Sequence, residues 1–359
     1  MISSYNKFII SVFLKNIFIV SIFFLCLVLI LNILEEITFF KNSEVSIILP
    51  VFLTFLNSLS VLFEIFPFII LIGTMSFFLE ILDKNELIIF KSYGLSNLKI
   101  ISVALSTTFI LSIFLVLIFY NISSGLKFLY LDIKNNHTDD GKYLSVVTAN
   151  GLWIKDHVNE NINIINAQKI DDEKLIDVLI SQFDKDYNFL RLINAKEVNI
   201  KDMNWKIYNA VITENNLSTK SKEVLTFETN FDSEKISNLF SSLASLNLIK
   251  LNKLKKDYIA LGYSTIEINN HILSLITYPI YLSIMMCIAA ILMLNITHNK
   301  PRVFYLITGI AISVGVYYMK FLFNILIVNG KIPNIFSIWF PLFLLFLFCL
   351  VGLVRINEK

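Results

Sequence analysis

The sequence predicts a polytopic α-helical membrane protein with six transmembrane helices and a β-rich, jelly-roll-like domain inserted between helices 3 and 4. Three observations carry that prediction. The chain is 56% apolar with 16% charged residues and a mean hydropathy of +0.70. Its apolar stretches reach the roughly 20 residues that a helix needs to cross a hydrocarbon core about 30 Å thick. Between the third and fourth of them lies a polar island, 123–270, in which the apolar period changes from helical to two.

Taken in order, the crossings are expected near 11–34, 55–82, 100–122, 272–295, 303–328 and 336–354. The first is too long for a cleaved leader, carries Lys7 and Lys15, and lacks a small-residue cleavage site, so it reads as a retained span preceded by an interfacial turn at Tyr5–Phe8. The stretch 47–82 exceeds one straight crossing, so part of it should project from the bilayer or lie at its surface. Residues 1–122 then form the first membrane half and 271–359 the second.

Inside the island, Tyr143–Lys155 reads as strand, turn and strand about Ala149-Asn150-Gly151. Asn161–Gln168, Leu175–Phe183, Phe189–Ile193, Trp205–Thr213 and Val224–Phe231 add short strands separated by Asp, Asn, Lys and Ser. Strands of this length and spacing suit a sandwich or jelly roll. From Ser233 the helical period returns: Ile236, Leu239, Phe240 and Leu243 share a face, then Leu251, Leu254, Tyr258 and Leu261, with Gly262 as the stop.

Charge sets the orientation. With the N-terminus inside, the inner ends and loops hold Lys7, Lys15, Lys84, Lys91, Lys99, Lys300, Arg302, Arg355 and Lys359, and the short outer loops only Lys41 and Lys331. That bias puts the termini in the cytoplasm and the β-rich domain outside. The island carries 18 Lys/Arg against 20 Asp/Glu, which gives a nucleic-acid partner no electrostatic support. Cys26, Cys287 and Cys349 all fall in spans, so the outer domain must fold without disulfides.

No phosphate-binding Gly-x-x-x-x-Gly-Lys-Ser/Thr, no Gly-x-Ser-x-Gly and no His-Glu-x-x-His occurs. His137, His157 and His298 stand apart from one another and from cysteine, so no metal spacing appears, and His271 reads as an interfacial or packing group. A non-catalytic chain without cofactor is expected. Ionisable groups at membrane depth are costly and face protein or water, which singles out Glu64, Glu80 and Lys320. From its residues alone Lys320 can reach up to the interface or pair with Glu35, Glu36 or Glu64.

The inner loop Asp83–Lys99, near 84–97, is the most informative local feature. Asp83 or Asn85 can start a short helix, Glu86, Leu87, Phe90 and Lys91 crowd one surface, Gly94 ends it, and Ser96 or Asn97 caps the next span. Such a helix can serve as a lever for a soluble motor, or simply join two spans.

With its acidic–Leu–x–x–apolar–basic–x–x–Gly–apolar–Ser pattern, filled by Glu86, Leu87, Phe90, Lys91, Gly94, Leu95 and Ser96, the loop resembles the LptF/LptG permeases of lipopolysaccharide export. Gly151-Leu152-Trp153-Ile154-Lys155 resembles that family's early Gly–x–Trp–x–basic strand, and Glu267, His271 and Pro279 its entry into crossing four. Ile332-Pro333 with Trp339-Phe340-Pro341 resembles its sixth-crossing start and leans toward the LptG branch. The likeness spans essentially the whole chain.

The resemblance implies a heterodimer of two homologous permease subunits over an LptB-type ATPase dimer, joined by an LptC-type single-helix jelly-roll protein. It implies lipopolysaccharide as cargo, drawn from the bacterial inner membrane through a lateral gate between crossings one and five. ATPase coupling would fall to Glu86, Leu87, Phe90, Lys91 and Gly94. Gate or lipid contact would fall to Leu27, Leu31, Leu34, Lys41, Tyr317, Lys320, Phe321 and Asn324. The family tends to be basic at the outer end of crossing one, where this chain has Glu35 and Glu36. Two other readings remain: a permease of another lipid or lipoprotein exporter, whose outer domain should follow crossing one, and a membrane-anchored binding module, for which one span would suffice.

Overall fold

The computed structural model describes residues 4–42, 45–135, 137, 152–158, 161–171, 173–214, 217–220, 224–233, 236, 242–260, 264–295, 302–328 and 331–357. They form two compact units, Met1–Leu126 with Ile266–Lys359, and Lys127–Thr265. Six helices are long and apolar enough to cross a membrane.

In the first unit, α1 (Ser4–Phe39) and α2 (Ile48–Asp83) run 36 residues each, about 54 Å at 1.5 Å per residue. Tyr5–Phe8, expected as a separate turn, continue α1, because nothing in that stretch breaks a helix. α2 is likewise unbroken, with Pro67 inside it. After α3 (Glu86–Ser92), α4 (Asn97–Phe114) passes through a π-helical stretch, Leu115–Phe119, into α5 (Tyr120–Asn135). The helix expected to stop near 122 therefore runs on to Asn135.

The remaining helices of this unit lie after the β-rich segment in the chain. One of them, residues Ile266–Leu294, is buried along most of its length against α2 and α4. Small hydroxyl residues are buried on α2 and α4: Thr54, Ser58, Thr74, Thr108 and Ser112, each hydroxyl donating to a carbonyl three or four residues back in its own helix. Small residues let helices approach where lipid offers no hydrophobic drive to associate. At Gly73 an added Cβ would lie 3.1 Å from the Ile17 Cα, so α1 and α2 touch almost backbone to backbone there.

The second unit holds eight strands: β1 (Leu152–Val158), β2 (Asn161–Asp171), β3 (Lys174–Phe183), β4 (Phe189–Asn199), β5 (Asn204–Tyr208), β6 (Val211–Glu214), β7 (Leu217–Lys220) and β8 (Leu225–Glu228). All pair antiparallel in one sheet, in the order β1-β2-β3-β4-β5-β8, with β6 on β4 and β7 on β6. The sheet forks at β4: its residues 197–199 pair with β5, and 192–194 with β6. The single strand expected over Trp205–Thr213 is thus two, divided at Asn209, whose φ of 51° turns the chain. β7 was not anticipated, and β4 extends past Ile193. The first expected strand, YLSVVT, lies outside the described residues, as do Leu239, Phe240, Leu261 and Gly262.

One face of this sheet is a core. A row of isoleucines crosses five strands, Ile154–Ile165–Ile180–Ile193–Ile212. Beside it, Leu152, Ala167, Val178 and Ala195 form a second buried row. Next along β1, Asp156 is wholly buried and accepts hydrogen bonds from Thr229 Oγ1 (2.6 Å), Asn230 Nδ2 (2.8 Å) and the Asn230 backbone N–H (3.2 Å). Asp156 belongs to the first strand of the order, and Thr229 follows the last. The sheet therefore curls until its two ends meet, and Asp156 fastens them. Trp205, also buried, donates from Nε1 to the Phe231 carbonyl at 2.7 Å. Helix α6 (Leu248–Ala260) buries Leu251 and Leu254, as its helical period predicts.

The membrane-spanning set is completed by α7 (Ile266–Leu294), α8 (Arg302–Val328) and α9 (Asn334–Asn357).

Candidate functional site

The residues singled out from the sequence fall in two places: the α2–α3–α4 connection, and α1 and α8 with the short turn after α1. The connection is built from its ends. Asn85, in the left-handed region at φ 56°, turns the chain out of α2. α3 then lasts seven residues and closes in a Schellman arrangement: Leu95 N–H donates to the Phe90 carbonyl and Gly94 N–H to the Lys91 carbonyl, both at 3.0 Å. Gly94 sits at φ 78°, which an L side chain rarely adopts. Ser96 caps α4 by accepting from the Lys99 N–H.

This geometry divides α3 into two faces. Glu86, Leu87 and Phe90 are half-buried, and Phe90 packs edge-on against Phe8 of α1 with ring centroids 6.0 Å apart. Ile88, Ile89 and Tyr93 point away, Tyr93 being 82% exposed, and Lys91 is exposed beside them. Glu86 has a carboxylate oxygen, Oε2, that is buried without a hydrogen-bond partner. The structure therefore brings Glu86, Leu87 and Phe90 to one face of a two-turn helix that Gly94 closes, leaves Lys91 on the exposed side, and adds Ile88, Ile89 and Tyr93 there. Those three were missed because their apolar character reads as burial unless the bend at Asn85 is known.

Beneath α3 lies a cluster the sequence did not reveal. Glu80, in the last turn of α2, accepts from Lys84 Nζ (2.7 Å) and Lys15 Nζ (3.1 Å) through Oε1, and from Asn16 Nδ2 (2.7 Å) through Oε2. Asn16 is buried, and its amide also donates to the Val12 carbonyl. The Glu80 carboxylate raises the pKa of Lys84 above the ordinary lysine value. Lys15 and Glu80 are 65 residues apart, beyond the reach of any helical period.

On α1, Leu27, Leu31 and Leu34 are exposed along one side, and Lys41 is exposed in the single turn Phe40–Asn42. On α8, Tyr317, Phe321 and Asn324 are exposed. α1 packs on α2 and α4, and α8 on α2, α7 and α9, so these surfaces are left open. Lys320 turns toward the protein instead, its Nζ 3.9 Å from the centre of the buried Tyr281 ring. Asn324 accepts a hydrogen bond from Asn270 Nδ2 of α7. His271 shares a hydrogen bond of 2.9 Å with the Tyr120 hydroxyl, joining α7 to α5.

The comparisons with known proteins cover the same architecture. Residues 7–355 match the model of the family described as lipopolysaccharide export system permease LptF/LptG. The chain is also similar to the lipopolysaccharide export system permease protein LptG of Haemophilus influenzae, 23% identical over 283 residues, which is 77% of each chain. With six long apolar helices, an antiparallel sheet domain between the third and fourth, and a match from residue 7 to residue 355, the chain belongs to the LptF/LptG family of lipopolysaccharide export permeases.

Proposed function

We propose that this chain is one permease subunit of an ATP-driven lipopolysaccharide exporter, paired with a homologous permease over an LptB-type ATPase dimer and joined by an LptC-type protein. Its termini and α3 face the cytoplasm, by the lysine and arginine bias of its ends, and its β-rich domain faces the periplasm. Lipid enters between α1 and α8 of the assembled pair. Leu27, Leu31, Leu34, Tyr317 and Phe321 line the acyl chains. Lys41 and Asn324 meet the headgroup, while Lys320 stays against the Tyr281 ring, and the periplasmic β-rolls receive the lipid.

The observation that carries this reading is α3 itself. A seven-residue helix fixed at both ends, with Ile88, Ile89 and Tyr93 turned outward, offers an apolar docking face. Water alone gives such a face no stability. Glu86, at the first position of the same helix, adds a half-exposed carboxylate whose charge a cation of the motor can meet. ATP binding closes the motor, α3 carries the movement into the spans, and the lipid cavity shrinks.

Glu86→Lys and Ile88→Asp test the docking role. Each should abolish co-purification of the ATPase in mild detergent, with the amount of folded permease unchanged. Unchanged assembly and unchanged ATP-dependent lipid release in both variants would overturn the reading.

A further inference from the structure

We infer that Glu80 is a positioning residue, the joint through which movement of α3 reaches α1 as well as α2. This inference rests on the exporter reading above. Glu80, on α2, accepts from two other pieces of chain at once: Lys15 and Asn16 of α1, and Lys84 from the start of the α2–α3 connection. Lys84 lies two residues before α3, and its backbone N–H also donates to the Glu80 carbonyl at 3.1 Å, so the root of α3 is fixed to Glu80 by main chain and side chain together.

A second link runs in parallel, from Phe90 of α3 to Phe8 of α1. Phe8 and Lys15 are seven residues apart, two turns of one helix, so the two links grip the same side of α1 at two heights. A force on α3 is then a torque on α1. One residue past Asn16, Gly73 meets the Ile17 backbone with no side chain between, so the Glu80 link holds α1 at a pivot and the Phe8–Phe90 link, nine residues away, supplies the lever arm. Beyond the pivot, α1 continues without interruption to Phe39 and carries Leu27, Leu31 and Leu34 on its free surface. Substituting Glu80 therefore leaves the motor docked on α3 and loosens its hold on α1, with the Phe8–Phe90 contact alone remaining between them.

The test uses the complete permease–ATPase assembly in lipid nanodiscs, with lipid release measured per ATP hydrolysed. Glu80→Gln should co-purify the ATPase and hydrolyse ATP as the unaltered complex does, while release per ATP falls about ten-fold. Glu80→Asp should recover part of the loss. Spin labels at Ile37 of α1 and Ile325 of α8, in a cysteine-free background, should show a nucleotide-dependent distance change that Glu80→Gln removes. A purely structural staple would alter stability without that separation of hydrolysis from release. Should Glu80→Gln fail to fold, the pair Lys15→Met with Asn16→Leu carries the same expectation. Normal release per ATP and a normal distance change in a folded variant would overturn the role of Glu80 alone. Failure of the unaltered chain to bind an ATPase would overturn the exporter reading beneath it.

Discussion

The hydroxyl of Tyr278 in α7 donates to the main-chain carbonyl of Phe63 in α2 at 2.7 Å, with the two rings stacked 4.6 Å apart. Phe63 is four residues before Pro67, whose missing N–H leaves that carbonyl without its helical partner. The phenol supplies the bond that the helix cannot. A proline in the middle of a span is thereby tolerated, and α2 is fastened to α7 at the same point.

Tyr278→Phe should lower stability by about 1 kcal/mol, the usual worth of a hydrogen bond between spans. Pro67→Ala in that background should restore part of it, since the new N–H satisfies the Phe63 carbonyl. Thermal unfolding of the four members of this cycle in detergent measures the coupling; additive effects would contradict the assignment.

Asp156→Ala should cost about 3 kcal/mol, because it leaves Thr229 and Asn230 donors beside a buried void. The expected signature is protease cleavage within 224–233 under conditions where the six spans stay protected. Resistance equal to the unaltered protein would mean the curled sheet does not depend on that carboxylate.

Gly73→Ala and Gly309→Ala should separate. At Gly309 a new Cβ would come within 2.6 Å of the Met75 thioether sulfur, which can swing aside; at Gly73 it meets the Ile17 Cα, which cannot. We expect a loss of about 1–3 kcal/mol for Gly73→Ala and less for Gly309→Ala, read as unfolding midpoints. The reverse order would refute the close α1–α2 crossing.

Acid should loosen the β3–β4 turn. The Asn188 side-chain amide and backbone N–H donate to Asp184 and hold its carboxyl below the ordinary range, helped by the Asp186 N–H. A carboxyl depressed in the folded state stabilises it above the unfolded value of about 3.9 and loses that contribution as pH falls through the folded value. Asp184→Ala should therefore lower the midpoint at pH 7, with a gap to the unaltered protein that narrows below about pH 4. A gap constant from pH 7 to pH 3 would exclude the effect.

Much of this was legible before any coordinates. Apolar length located six spans, and the charge and helix-stop signals of Glu86, Gly94 and Ser96 located α3. Period two located β3 nearly to the residue. Illegible were features that depend on distant residues. Glu80 stands out as a charge at membrane depth, but its partners Lys15 and Asn16 cannot be read until α1 lies on α2, and Tyr278 is one aromatic among many until it meets a carbonyl 215 residues away. Local turns also escaped: the break at Asn209 needs a backbone angle that the run from Trp205 to Thr213 does not announce.

The joined ends of the curled sheet have a mechanical consequence. Among the described residues no main-chain ladder closes β8 onto β1, so the girth of the roll is set there by the grip of one carboxylate on a threonine and an asparagine. Widening a closed barrel means unzipping a strand, whereas widening this one means releasing a single clasp and leaving every rung in place.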